Sequence, residues 1–356
     1  MNRRALLKAL GCSMLLSGGW APPAALAQAL TQPHVTSPLF HVFGQLPEPV
    51  EVKRVFAAGA PAAVMLNSVA PAQLLGWPSS VSKASQQWLS ETSRQLPVVG
   101  RLAGRGSTIS SEQLITLNPD VIVDVGDVNE HYLSIAKEFS EKTGIPYILI
   151  QGAIEDTPEQ LEILGALLGQ QRHGQQLAQA AQDVLDYVAA KRETSTFKAP
   201  RIYLARSATG LETGAAQSIH SEIVRLVGAT NVAEDLDSTG LVQVSMEQVL
   251  VWDPEVILTQ DKSFYQNVYD NPLWQDVPAV RNKQVLFVPS VPFGWLDIPP
   301  SINRLLGALW LTAWIHKENE QVLLEKVRHL FVMFYQNDPG PEKLKQLLVD
   351  PVQFAD

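Results

Sequence analysis

Two short loops carry side chains able to recognise a ligand. Residues 100–106 read GRLAGRG, and residues 291–297 read VPFGWLD. In the first loop, Arg101 and Arg105 each offer a planar fork of donors that suits paired oxygen acceptors; a solvated surface arginine is the alternative. The loop lacks the Gly-Lys-Ser/Thr ending of a phosphate cradle, which argues against a P-loop. In the second loop, Phe293 and Trp295 sit in a Pro/Gly-punctuated stretch where no regular core stripe explains them. Aromatics there pack on a bulky planar or chelated ligand, or latch against the helix that follows Ile302. His220 lies just inside a helix after a Gly/Ala/Gln loop. Its imidazole suits an open position on a metal, although a lone histidine is more often structural or solvent-facing. Tyr203, Arg206, Glu212, Ser218, Phe264 and Tyr265 complete the candidates of the second half, with Asp297 and Glu212 read either as acidic partners or as turn and cap residues; in the first half Gly59-Ala60 and GDVNEHY (126–132) also follow strands.

Composition narrows the chemistry. The chain has 356 residues, a net charge of −9 and no Lys/Arg run, which argues against a nucleic-acid-binding surface. Its one cysteine, Cys12, falls in an N-terminal segment read as cleaved. The mature chain then has no thiol for a disulfide, a zinc site or a nucleophile. The other histidines (His34, His41, His131, His173, His316 and His329) show no HxH, HxxxH or HExxH spacing, which disfavours a metal site built from protein alone. No GxSxG and no recognisable acid/base pair stand out, so an enzyme is not expected.

Residues 1–27 read as a signal peptide. Arg3, Arg4 and Lys8 precede an apolar stretch over about residues 9–21, and Ala25-Leu26-Ala27 fits an A-x-A cleavage pattern. The stretch is shorter than the roughly 20 residues of a membrane span. Arg3-Arg4 followed by ALLK resembles a twin-arginine signal, with a plain Sec signal as the alternative. An exported, cysteine-free, acidic chain cleaved near Ala27 points to the bacterial periplasm.

Positioning these loops requires more than one core, because the chain exceeds what a single core usually organises. After a Pro-containing leader (31–50), short apolar runs alternate with helical patterns. VKRVFAAG, VIVDVG and YILIQG read as strands of an N-terminal lobe over residues 50–156. PRIYLAR, PEVILTQ and KQVLFVPS do the same in a C-terminal lobe over 198–356, which includes closing helices. Strands alternating with helices indicate parallel sheet. Between the lobes, residues 157–193 have helical spacing throughout, with Gly165, Gly169 and Gly174 as possible breaks. The expected fold is therefore α/β, with two lobes, each a parallel-type β-sheet flanked by helices, joined by a long rigid interlobe helix.

One segment is written twice. ISSEQLITLNPDVIV (109–123) and VSMEQVLVWDPEVIL (244–258) align without a gap, pairing Glu112 with Glu247 and Pro119 with Pro254. Locally, each Glu is a first-turn acid beside a serine N-cap. The duplicated unit, the two α/β halves, the intervening helix and the stretches YLARSATGLETG, SIHSEIVRLVGATNVAED and VPFGWLDIPPSINRLLGALWL together resemble class III (cluster A) periplasmic solute-binding proteins, the iron-complex branch in particular. The resemblance covers about residues 52–316.

It implies a monomeric binding component that captures a siderophore-type iron complex in an interlobe cleft and delivers it to an ABC permease dimer at the inner membrane. Glu112 and Glu247 take the positions that dock on the permease in that family. No intrinsic cofactor is implied, the iron being carried within the bound chelate. The expected ligand-binding residues are Arg101, Arg105, Tyr203, Arg206, Glu212, His220, Phe293 and Trp295. Haem, cobalamin, a nickel or cobalt chelate, or a molybdate-type oxyanion are alternative cargoes. A metallochaperone or enzyme on the same fold is the alternative of another class.

Overall fold

The computed structural model describes residues 38–103, 106–194 and 198–355. The expected signal segment, with Cys12, lies outside them, and so does Arg105. In the N-terminal lobe, β1 (Phe40–Phe43), β2 (Val55–Ala57), β3 (Val121–Gly126) and β4 (Tyr147–Gln151) form one sheet in the order β1-β4-β3-β2. β2, β3 and β4 run parallel. Their near-continuous apolar sequences follow from burial on both faces of a parallel sheet. β1 runs antiparallel to β4, with Phe40 opposite Ile150. The stretch read as a leader thus contributes an edge strand, which the neighbouring prolines obscure in the sequence.

The C-terminal lobe holds β5 (Arg201–Ala205), β6 (Glu212–Gly214), β7 (Thr230–Asn231), β8 (Leu241–Gln243), β9 (Val256–Thr259) and β10 (Val285–Phe287). Four of them build a parallel sheet in the order β10-β9-β5-β7, while β6 and β8 pair antiparallel. Tyr203, Trp252, Phe264 and Trp274 pack in the core of this lobe.

The duplicated segments fold alike. Ser110 and Ser245 each cap a seven-residue helix, Ser111–Leu117 and Met246–Trp252, by accepting the backbone N–H of Gln113 and Gln248. Each helix ends on a left-handed residue, Asn118 (φ 47°) or Asp253 (φ 48°). An arginine from the neighbouring strand start then closes the carboxyl end: Arg54 Nη2 donates to the Leu117 carbonyl at 2.6 Å, and Arg201 Nη2 to that of Trp252 at 2.5 Å. The acid after each proline, Asp120 or Glu255, accepts the backbone N–H of Arg54 or Arg201 in turn.

The helical pattern over 157–193 is not one unbroken helix. It forms Thr157–Leu167 and Gln171–Arg192, and the second packs against the first where Gly165 and Gly174 meet. A Cβ on Gly165 would lie 2.7 Å from the Gly174 Cα, so only glycine permits this approach. The 22-residue second helix, about 33 Å long, joins the lobes, touching helix Ala60–Val69 of the first and Arg304–Ile315 of the second.

Helix Glu320–Tyr335, expected with the C-terminal lobe, crosses back onto Ala60–Val69, where the Ser68 hydroxyl donates to the Phe334 carbonyl at 2.6 Å. Among the described residues, no helix is long and apolar enough to cross a membrane.

Candidate ligand-binding site

Ligands in doubly wound sheets lie outside the carboxyl ends of the strands, and here those ends enclose a cavity of about 920 Å³ between the lobes. Residues after β2 and at the end of β3 supply one wall, from Gly59–Pro61 and Asp124–Asp127, with Trp77, Ser79, Ser80 and Arg101 added by the loops between. Residues after β5, β9 and β10 supply the other, including Arg206, Gln260 and the Ser290–Asp297 loop, with His220 beside them. Phe293 reaches the cavity and meets Trp77 of the opposite lobe at a ring separation of 5.6 Å.

Charge in the second wall converges on Asp297, which is almost fully buried. Its Oδ2 accepts from Arg206 Nη1 and lies 2.7 Å from His220 Nδ1. The Arg206 Nε donates to Glu212 Oε1 at 3.3 Å, and Gln243 Nε2 donates to the other Glu212 oxygen at 3.2 Å. Glu212 therefore stands behind Arg206 rather than on the cavity wall.

The first wall is acidic. Asp124 is buried, with the Tyr147 hydroxyl donating to Oδ2 and the Val125 N–H to Oδ1, both at 3.0 Å. Burial outweighs those two donors and pushes its carboxyl up to about 6. Asp127 opens onto the cavity. Desolvation by the surrounding walls raises its pKa, and the charges of His220 and Arg304 partly oppose the shift. Arg101 donates from Nε to the Gly106 carbonyl at 3.0 Å.

Beneath the cavity, buried Arg304 forms an ion pair with half-buried Glu222. Among the described residues, no group of three or more His, Cys, Asp or Glu side chains is placed to hold a bare metal ion.

The family model described as periplasmic binding protein matches residues 71–292 of this chain. The chain belongs to the periplasmic binding protein family. A molybdate-binding protein, MolA of Haemophilus influenzae, is 26% identical over 263 residues, spanning 68% of this chain and 74% of that protein. A vitamin B12-binding protein of Vibrio parahaemolyticus is 27% identical over 208 residues, spanning 56% and 70%. An ABC transporter solute binding protein from Sulfurospirillum deleyianum superposes with a TM-score of 0.75 at 28% identity, over 85% of this chain and 95% of that one. The class III type, expected from the duplicated segment, is the one found, and the protein is a periplasmic solute-binding component of an ABC importer.

Of the binding protein's expected ligand residues, Arg101, Arg206, His220 and Phe293 line the cavity. Two others turn away from it. Tyr203 is buried in the lobe core, its hydroxyl donating to the Gly210 carbonyl at 2.8 Å. Trp295 has no exposed surface, and its indole N–H donates to the Val291 carbonyl at 3.0 Å. A Cβ on Gly307 would lie 2.0 Å from the Trp295 carbonyl, so the Arg304–Ile315 helix seats directly against this residue. Trp295 therefore takes the latch role, and Phe293 faces the ligand space.

Sequence reasoning missed the serines of WPSSVS, Gln260 and Asp124, whereas Asp127 lies in the loop 126–132 expected to face the ligand because it follows a strand. Glu112 and Glu247 are both exposed. Backbone N–H donation at the helix start, then the serine cap, lowers the pKa of each, so both stand ionised at neutral pH.

Proposed function

We propose that this binding protein captures a siderophore-type iron complex in the interlobe cleft and hands it to the permease of its importer. The cavity carries this reading. At about 920 Å³ it lies near the upper end of the roughly 300–1,000 Å³ typical of small-molecule sites, and its walls mix aromatic faces with hydroxyl and guanidinium donors. A chelate of that bulk brings its own metal ligands, so the iron is cargo and the chain needs no resident cofactor. Glu112 and Glu247, ionised and each beside a serine N-cap on the two lobes, are the groups that meet the permease. Export rests on residues 1–27, with cleavage near Ala27, and the protein works as a monomer.

A second reading, a molybdate-type oxyanion, is favoured by the 26% identity to the molybdate-binding relative. The size of the cavity favours the chelate. Native purification followed by mass spectrometry and metal analysis separates them. An iron-bearing organic complex at one per chain is the expected result; molybdenum without an organic ligand would overturn it.

A further inference from the structure

Among the described residues, the charges facing the cavity belong to Arg101, Asp124, Asp127, Arg206, His220 and Asp297. Two guanidiniums and one imidazole thus face three carboxylates, which leaves no positive surplus. The balance is less favourable to an anion than the count implies. Arg206 already serves two carboxylates, Asp297 and Glu212, and His220 shares the same Asp297 oxygen. Arg304, behind the wall, is held by Glu222. An anion entering this space has to compete with built-in carboxylates for these cations, and it gains only where unpaired donors await it.

Asp127 is in the opposite condition. Among the described residues it accepts no hydrogen bond and has no ion-pair partner within 4.0 Å, and it is exposed to the cavity. It follows β3 directly and precedes the helix Glu130–Thr143, whose N-cap is Asn129, so its carboxylate has no capping task to explain it. Its position opposite the Asp297 cluster places a negative group on each side of the space a ligand fills.

We infer that the cargo complex is electrically neutral or cationic, and that Asp127 sets this preference by facing it with a carboxylate that no ion-pair partner among the described residues holds. The inference rests on the chelate reading above and narrows it by charge: a ferric tris-hydroxamate fits, whereas a trianionic ferric tris-catecholate and molybdate do not.

Calorimetric titration of the purified full chain with three probes tests this: a neutral or monocationic ferric tris-hydroxamate, a ferric tris-catecholate and molybdate. The expected result is binding of the tris-hydroxamate at least about tenfold tighter than the tris-catecholate, the order of one well-placed charge contact. Asp127→Asn should weaken a monocationic complex by about two- to fivefold, in line with a partly solvated charge, and narrow the gap to the tris-catecholate. Circular dichroism establishes that the variant is folded. A tris-catecholate that binds as tightly as the tris-hydroxamate overturns the charge inference and leaves the chelate reading standing. Failure of both chelates to bind, with or without molybdate binding, overturns the chelate reading itself.

Discussion

Buried Arg304 and half-buried Glu222 form an ion pair whose two members each also grip the other lobe. Arg304 Nη2 donates to the Gly152 carbonyl at 2.5 Å, and Glu222 Oε2 accepts the Ile154 N–H at 3.1 Å. Both partners belong to the C-terminal lobe, while Gly152 and Ile154 follow β4 of the N-terminal lobe. The pair is therefore a clasp at the base of the cleft. Burial raises the Glu222 pKa and lowers that of Arg304, and each is pulled back by the other's charge. Removing one partner strands the other.

Arg304→Met is accordingly expected to destabilise the protein by about 3–5 kcal/mol, the usual cost of an uncompensated buried charge. Arg304→Met combined with Glu222→Leu should recover much of that loss. Urea unfolding of both variants checks the sign: a single variant no weaker than the double one contradicts the clasp.

Asp124 gives stability a pH dependence of stated direction. Its carboxyl titrates near 6 when folded and near 3.8 when unfolded, so the folded chain holds the proton more tightly. Its contribution is complete below about pH 3.8, declines as pH rises toward 6, and is absent above. Asp124→Asn should remove that decline and stabilise the protein at pH 7 by about 1–3 kcal/mol, at 1.36 kcal/mol per unit. The comparison is made with denaturant melts of both proteins from pH 4 to pH 7.

Tryptophan emission distinguishes the cavity aromatics from the buried latch. Trp77 lines the cavity and touches Phe293, so a ferric chelate should quench it, and Trp77→Phe should abolish most of the response. Trp295→Phe should leave the response intact. It should instead lower stability by about 1–3 kcal/mol, because the buried Val291 carbonyl loses its donor. A response carried by Trp295 would place it in the cleft after all.

Replacing Glu112 and Glu247 together by Ala should lower importer-dependent uptake by about tenfold or more and leave ligand affinity in solution unchanged. Uptake in cells and calorimetry on the purified chain provide the two readouts. Lost ligand binding in the double variant refutes a docking role.

The parts of the fold visible in the sequence are those with a periodic cause. β3, β4, β5 and β9 announce themselves because burial on both faces demands unbroken apolar runs, and the Ser-x-x-Gln caps mark where both short helices begin. The break at Leu168–Gln170 was less legible, since helical spacing resumes soon beyond it and the glycines are the main hint of the turn. The site was legible in part. Arg206, His220 and Phe293 follow strand ends, where ligand loops belong. Trp295 misled because its loop context says nothing about which aromatic finds a buried acceptor. The acidic surround was invisible as one: Asp124 and Asp127 stand at the end of β3 and Asp297 in the loop after β10, and only folding brings them around one space.

The matched closure of the two seven-residue helices, by Arg54 and Arg201, has a consequence for recognition from outside. A receptor with two identical faces would meet two nearly interchangeable epitopes. Glu112 and Glu247 agree, and so do Gln113 and Gln248, while Ile115 and Leu250 are both exposed apolar residues. Thr116 against Val251 is the sharpest difference within the two helices, one polar and one the most exposed valine among the described residues. On the proposed docking, the way round the protein sits would be a nearly degenerate choice at the glutamates, with a hydroxyl on one side and a bare methyl pair on the other as the difference.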